Sequence, residues 1–308
     1  MRDDMKHLQV STHGRVTTFH GSWYRGPTTR FIPDKTSLAE DGAIDKFVVQ
    51  GWASPNLINK NHKILSFGSC FARHVTSFLQ DRNYRVLGSE KTEMDSHIIT
   101  FGEGIVNTFS ILQQFEWAIE DKPFSNTYWF GPNKEVALPD ETERLKTKQL
   151  MLEADRFIFT LGVSEIWFDQ QTGEAFWRAI PADLFDEKIH GFRVSTVEEN
   201  LDNLRKIVSI IKKIKPKAEI IFTLSPVPLM ATFRDVSCIT ASSVSKAILR
   251  VAIDELIRTS NVELHYFPSY EIVKDMFNDP FMPDNRHPKP EVIAQVLEAF
   301  ERHFGSPD

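Results

Sequence analysis

The chain has 308 residues, 41% of them hydrophobic and 25% charged, the profile of a soluble globular fold long enough to bury a full core without staples. A formal net charge of -6 and a pI near 6.0 leave no basic footprint, which argues against nucleic acid or an anionic membrane as the main partner. The two cysteines, Cys70 and Cys238, lie far apart with no Cys-x-x-Cys and no His-Glu-x-x-His nearby, so no disulfide framework, metal site or cofactor is expected. The N-terminus is too polar for a signal peptide, and no run approaches the ~20 apolar residues of a membrane helix. A cytoplasmic location follows as the expectation.

Residues 1–60 are polar and punctuated by Gly21, Gly26, Pro27, Pro33 and Pro55; they are expected to wrap a following domain, residues 61–308, rather than form one. Ile64–Phe67 reads as a buried strand and Phe71–Asp81 as a helix with Phe71, Val75, Phe78 and Leu79 on one face. A short strand over Tyr84–Leu87 and an apolar helix over Phe109–Ile119 come next, then a third strand at Arg156–Leu161. Thr196-x-x-Glu199 is a capping box opening a helix to about Ile214. Glu219–Leu224 is a fourth strand, Ser242–Thr259 a helix and Val262–Phe267 a fifth strand, and Pro290 opens a last helix to about His303. Five short apolar strands separated by helices predict an α/β three-layer sandwich around a five-stranded parallel sheet. Such sheets hold ligands at the carboxyl ends of their strands.

Two aromatic insertions interrupt this pattern. One lies near 121–140 and contains Tyr128-Trp129-Phe130-Gly131-Pro132; the other lies near 166–192. In the second, Ile166–Asp169 and Ala175–Arg178 flank Gln170–Glu174 as a β-hairpin. Its rings either plug the top of the sheet or form a lid or sugar platform, since flat apolar rings with polar edges suit pyranose faces.

The first strand breaks at Gly68-Ser69-Cys70-Phe71-Ala72. That turn exposes an Oγ or Sγ at the head of a helix, where backbone N–H groups and the helix dipole favour developing negative charge. Far downstream, Asp284-Asn285-Arg286-His287-Pro288 supplies a histidine base and a carboxylate at the spacing that orients it. Bland roles stand beside these: Ser69 as a helix cap, Cys70 as a packing residue, Asp284 as a turn residue and His287 bonded to a nearby carbonyl.

Gly68–Ala72 spells the motif of the GSCFA family, a branch of the SGNH (GDSL-like) hydrolase superfamily, and the chain resembles that family in further blocks. These are Phe159–Trp167, Thr223–Leu229, Ser245-Lys246 with Leu249-Arg250, Tyr266–Tyr270 and Asp284-x-x-His287-Pro288, so the resemblance spans roughly residues 20–300. It implies a flavodoxin-like SGNH hydrolase fold and acyl-ester chemistry, without naming a substrate. Aligned on Gly68, the superfamily's Gly-Asp-Ser block puts Cys70 at the nucleophile and Ser69 at the Asp; a one-residue slip restores Ser69. A cysteine in the first turn of a helix leans toward the thiolate, which needs less help from a base than a hydroxyl does; this and the alignment both point to Cys70, with Ser69 as the alternative. The superfamily's Gly-x-Asn-Asp block corresponds to Gly162-Val163-Ser164-Glu165, so Ser164 replaces the oxyanion donor. Asn107 either supplies the missing amide or caps a helix. Glu165 is a candidate anchor for loops around the site, through Arg250 or Lys246.

The expected activity is hydrolysis of an acyl ester, an O-acetyl ester above all, on a carbohydrate or related polar substrate. O-acetyltransfer to a glycan and non-catalytic carbohydrate binding are the alternatives, and the oligomeric state is open.

Overall fold

The computed structural model describes residues 7–12, 15–20, 30–68, 70–88, 107–123, 129–130, 136–137, 140–177 and 180–306. The backbone divides into two compact units, Met1–Gln50 and Gly51–Asp308. Residues 51–60, grouped with the N-terminal segment on composition, thus belong to the larger unit. The first unit holds an antiparallel pair, β1 (His7–Thr12) and β2 (Arg15–His20), and one helical turn, α1 (Lys35–Leu38). Asp34 caps α1 by accepting from the Ser37 N–H at 2.8 Å.

In the second unit the chain runs through β3 (Lys63–Gly68), α2 (Cys70–Asp81), β4 (Arg85–Val86) and α3 (Thr108–Glu120). A small pair, β5 (Trp129–Phe130) and β6 (Val136–Ala137), precedes α4 (Glu141–Glu153) and β7 (Arg156–Leu161). Then come β8 (Glu165–Asp169), β9 (His190–Val194), α5 (Val197–Ile214), β10 (Glu219–Leu224) and α6 (Cys238–Thr259). The chain closes with β11 (His265–Phe267), α7 (Ser269–Met276) and α8 (Pro290–Phe304).

The main sheet has five parallel strands in the order β11-β10-β7-β3-β4. Counted along the chain this is 2-1-3-4-5, the flavodoxin-like order, whose switch point lies between β3 and β7. The α/β sandwich expected from the sequence is therefore present. Because side chains alternate across a strand, each sheet face is sorted by residue type. One face carries Leu65 and Phe67, Phe157 and Phe159, Ile220 and Phe222, all packed with residues of α3, α5 and α6. Phe67, Phe159 and Phe222 sit opposite one another in register and stack in a row across three strands, with centroids 5.1 and 5.4 Å apart. Removing such rings from water stabilises the fold by about 1.5–3 kcal/mol each. On the other face Phe267 packs edge-on against Phe300 and Phe304 of α8, at 5.1 and 5.8 Å.

The capping box forms as read. The Thr196 Oγ1 accepts from the Glu199 N–H at 3.1 Å, and Glu199 Oε2 accepts from the Thr196 N–H at 2.8 Å. Two boundaries move by three residues or more. The helix read from Ser242 begins at Cys238, because Ser237 Oγ caps it by accepting from the Ile239 N–H. The strand read from Val262 begins only at His265.

The aromatic insertions are corrected or fall outside view. Most of residues 121–140, including Tyr128, Gly131 and Pro132, lies outside the described residues. Around Gly173 a tight turn does form, with Phe168 bridged to Ala175, but the extended partner of β8 is β9. Trp177 is no lid. It is fully buried, its indole N–H donates to Gln113 Oε1 at 2.9 Å, and its ring meets Trp117 edge-on within the α3 core. Trp167 alone stays near the surface, among Phe185, Phe192 and Phe233.

Candidate active site

Two strand ends flank the switch point, and each carries a glycine. At Gly68 the backbone has φ +136°, and a Cβ would lie 2.2 Å from the Thr160 carbonyl oxygen on the adjacent strand. Only glycine meets both demands. This lets β3 turn at once into α2, whose first residue, Cys70, carries an exposed free thiol. Ser69 lies outside the described residues.

The Asp–His block sits in a turn closed by the Phe281–Pro288 bridge. The Met282 N–H donates to the His287 carbonyl at 2.8 Å and the Asn285 N–H to the Met282 carbonyl at 2.9 Å; Asn285 takes the left-handed conformation, φ 54°, that asparagine tolerates. Within the turn, Asp284 Oδ1 accepts from the Arg286 and His287 N–H groups, both at 3.0 Å. Its Oδ2 lies 2.5 Å from His287 Nδ1. The His287 side-chain bond first, then the two N–H bonds, hold the Asp284 pKa down to about 2. Asp284 is thus a carboxylate near neutral pH, and the ring proton belongs on Nδ1. The other nitrogen, Nε2, stands 3.1 Å from Arg286 Nη1. A guanidinium only donates, so Nε2 presents its lone pair, as a general base must.

His74 shares this corner, one helical turn beyond Cys70 and on the same face of α2. Burial first, then the charges of His287 and Arg73, lower its pKa, so it favours the neutral form. His74 therefore lies within electrostatic range of His287. His74 escaped the sequence reading, although its i+4 spacing from Cys70 was the available signal.

The second glycine, Gly162, follows β7. Its carbonyl accepts from Lys246 Nζ at 2.9 Å, and a Cβ there would meet Ser225 at 3.3 Å. Lys246 is wholly buried with that single acceptor, and burial first, then the like charge of Arg286, lowers its pKa to about 7. The unfolded chain keeps this proton up to about pH 10.5, so between the two values it binds more protons than the native state and stability rises with pH. The penalty is complete below about 7. Relative to Lys246→Met, in which other titrations cancel, the wild type is expected to gain about 2 kcal/mol between pH 7 and pH 9 in urea melts. A pH-independent difference would show that Lys246 keeps its charge.

The remaining candidates hold the frame. Asn107 is buried and caps α3, its Oδ1 accepting from the Ser110 N–H at 2.9 Å. Ser164 is fully buried: its N–H donates to Ser245 Oγ at 2.8 Å, its carbonyl accepts from the Ser195 N–H and hydroxyl, and its own Oγ has no partner. Glu165 does anchor a loop, but through Thr232, whose hydroxyl donates to the carboxylate at 2.8 Å. Arg250 instead pairs with Glu271 at 2.8 Å, and Lys246 with the Gly162 carbonyl. The tie runs from the start of β8 to the loop after β10.

A parallel α/β sheet with a glycine turn into a helix at its switch point frames these residues. Residues 63–300 match the model of the GSCFA family, and over that span the chain belongs to the GSCFA family. The match begins well after residue 20. No curated protein matches this chain. Among solved structures, it is similar to a GDSL-like lipase from Bacteroides thetaiotaomicron, at 12% identity over 79% of this chain and 87% of that one, with a TM-score of 0.39. It is also similar to a mutant acetyl-xylooligosaccharide esterase from Geobacillus, at 16% identity over 81% of this chain and 97% of that one, with a TM-score of 0.38. Likeness at this level says nothing about what this chain does.

Proposed function

We propose that this chain is an SGNH-like acyl-ester hydrolase, an O-acetylesterase acting on a carbohydrate or related polar molecule through an acyl-enzyme. The observation that carries the reading is the Asp284–His287 pair, its Nδ1 facing the carboxylate at 2.5 Å, together with the exposed free thiol of Cys70 at the head of α2. In the first half-reaction Cys70 Sγ attacks the ester carbonyl while His287 Nε2 takes the thiol proton. Backbone N–H groups at the head of α2 hold the oxyanion. The tetrahedral intermediate collapses, the C–O bond breaks, and the departing sugar oxygen receives the proton from His287. Water then attacks the thioester, giving its proton to His287, and the second collapse returns that proton to the sulfur as acetate leaves.

The test is turnover of an acetyl ester together with intact mass of the protein. Cys70→Ala is expected to abolish both turnover and the added acyl mass, and a thiol alkylating reagent to inactivate the wild type. Ser69→Ala is expected to retain chemistry and lose about 0.5–2 kcal/mol of stability, the range for a helix cap. Activity that survives Cys70→Ala but dies with Ser69→Ala would make this a serine esterase. Acyl transfer to an added sugar in preference to water would make it an acetyltransferase, and no turnover of any acyl ester would leave the binding-protein reading.

A further inference from the structure

Arg286 is a cation without a counter-charge at the wall of the site. Among the described residues it makes no ion pair, and its Nε–H is buried with no acceptor. The carboxylate two positions earlier does not serve it: Asp284 is engaged by two backbone N–H groups and the His287 ring. The one side-chain contact of the guanidinium is Nη1 to His287 Nε2 at 3.1 Å. A second basic group, Lys246, lies close enough for the Arg286 charge to depress its pKa, and among the described residues its sole acceptor is the neutral Gly162 carbonyl. Two neighbouring positive groups in a half-covered corner, with no anion between them, are costly to hold. They stand out on a chain whose net charge is -6.

With Nη1 on the imidazole, Nη2 and the buried Nε have no partner among the described residues, and a turn of the side chain would present that edge to a ligand. That edge matches the two oxygens of a carboxylate or phosphate. We propose that Arg286 is a specificity-determining residue that pairs with an anionic group, a carboxylate or a phosphate, on the molecule whose ester is cleaved. The inference rests on reading the site as an acyl-transfer centre. It also gives the contact to His287 a meaning, because drawing the guanidinium onto a substrate anion frees the Nε2 lone pair to take a proton.

Binding is measured by calorimetry with glucuronate, glucose 6-phosphate and glucose, and turnover with acetylated glucuronate against acetylated glucose. The wild type is expected to bind at least one anionic sugar about tenfold or more tightly than glucose, and to weaken as salt rises. Tighter binding of glucuronate assigns the anion as a carboxylate, and of glucose 6-phosphate as a phosphate. Arg286→Gln is expected to bring the anionic-to-neutral ratio to about one, and Arg286→Lys to restore part of it, both folded by circular dichroism. Equal affinity for all three sugars, or a preference that survives Arg286→Gln, overturns the proposal. Anion binding without any ester turnover would sink the esterase reading and leave this one standing, whereas turnover with no charge preference would do the reverse.

Discussion

Replacing His287 with alanine is expected to lower acetyl-ester turnover by about 10²–10⁴-fold, the usual share of a positioned acid–base, with little change in stability. The ring is 44% exposed, and its side-chain partners are Asp284 and Arg286, so no core contact is lost. Asp284→Asn is expected to share much of the loss. An amide still accepts the N–H bonds, but it no longer favours the imidazolium that forms during each proton transfer. Rates measured beside thermal melts decide the matter. A folded His287→Ala protein that turns over normally would remove this histidine from the chemistry.

Gly68→Ala should be the most damaging glycine-to-alanine change among the described residues. The added carbon would sit 2.2 Å from the Thr160 carbonyl oxygen, 2.8 Å from its Cβ and 3.0 Å from its carbonyl carbon, all on the adjoining strand. Neither neighbour is the tip of a flexible side chain, and the φ of +136° disfavours any L side chain there as well. To relieve the overlap β3 and β7 must part at the switch point. A loss above about 4 kcal/mol is expected, a large fraction of the ~5–15 kcal/mol that a domain commands. Soluble yield and urea melts measure it; a variant with an unshifted urea midpoint would mean that the strand end shifts freely.

The sheet was legible because its strands are continuous apolar runs between helical stretches, and Arg156–Leu161 and Glu219–Leu224 appear with the bounds read for them. Helix α4 was not legible. Its buried set, Glu143, Thr147, Leu150 and Met151, mixes polar with apolar residues while Leu145 and Leu152 face solvent, so periodicity has nothing to register. Strand β8 was seen, but its partner was misjudged, because local turn chemistry marks Gly173 and gives no sign of the distant β9. At the site, the Asp–His spacing was readable since both residues belong to one turn. The contributions of His74, Lys246 and Arg286 were hidden for the opposite reason. Each depends on elements far apart in sequence meeting at one corner, and an isolated Lys or Arg carries no local signature of burial or of a missing counter-ion.

The row of Phe67, Phe159 and Phe222 joins strands that leave the ribosome at widely separated times. Until β7 emerges, β3 has no stacking partner on its inner side, and the row is incomplete until β10 follows. Pairings this distant in sequence form slowly, and apolar strands that wait for partners are prone to aggregate. The same stacking that anchors the finished sheet is therefore complete only once the third of its strands has been made.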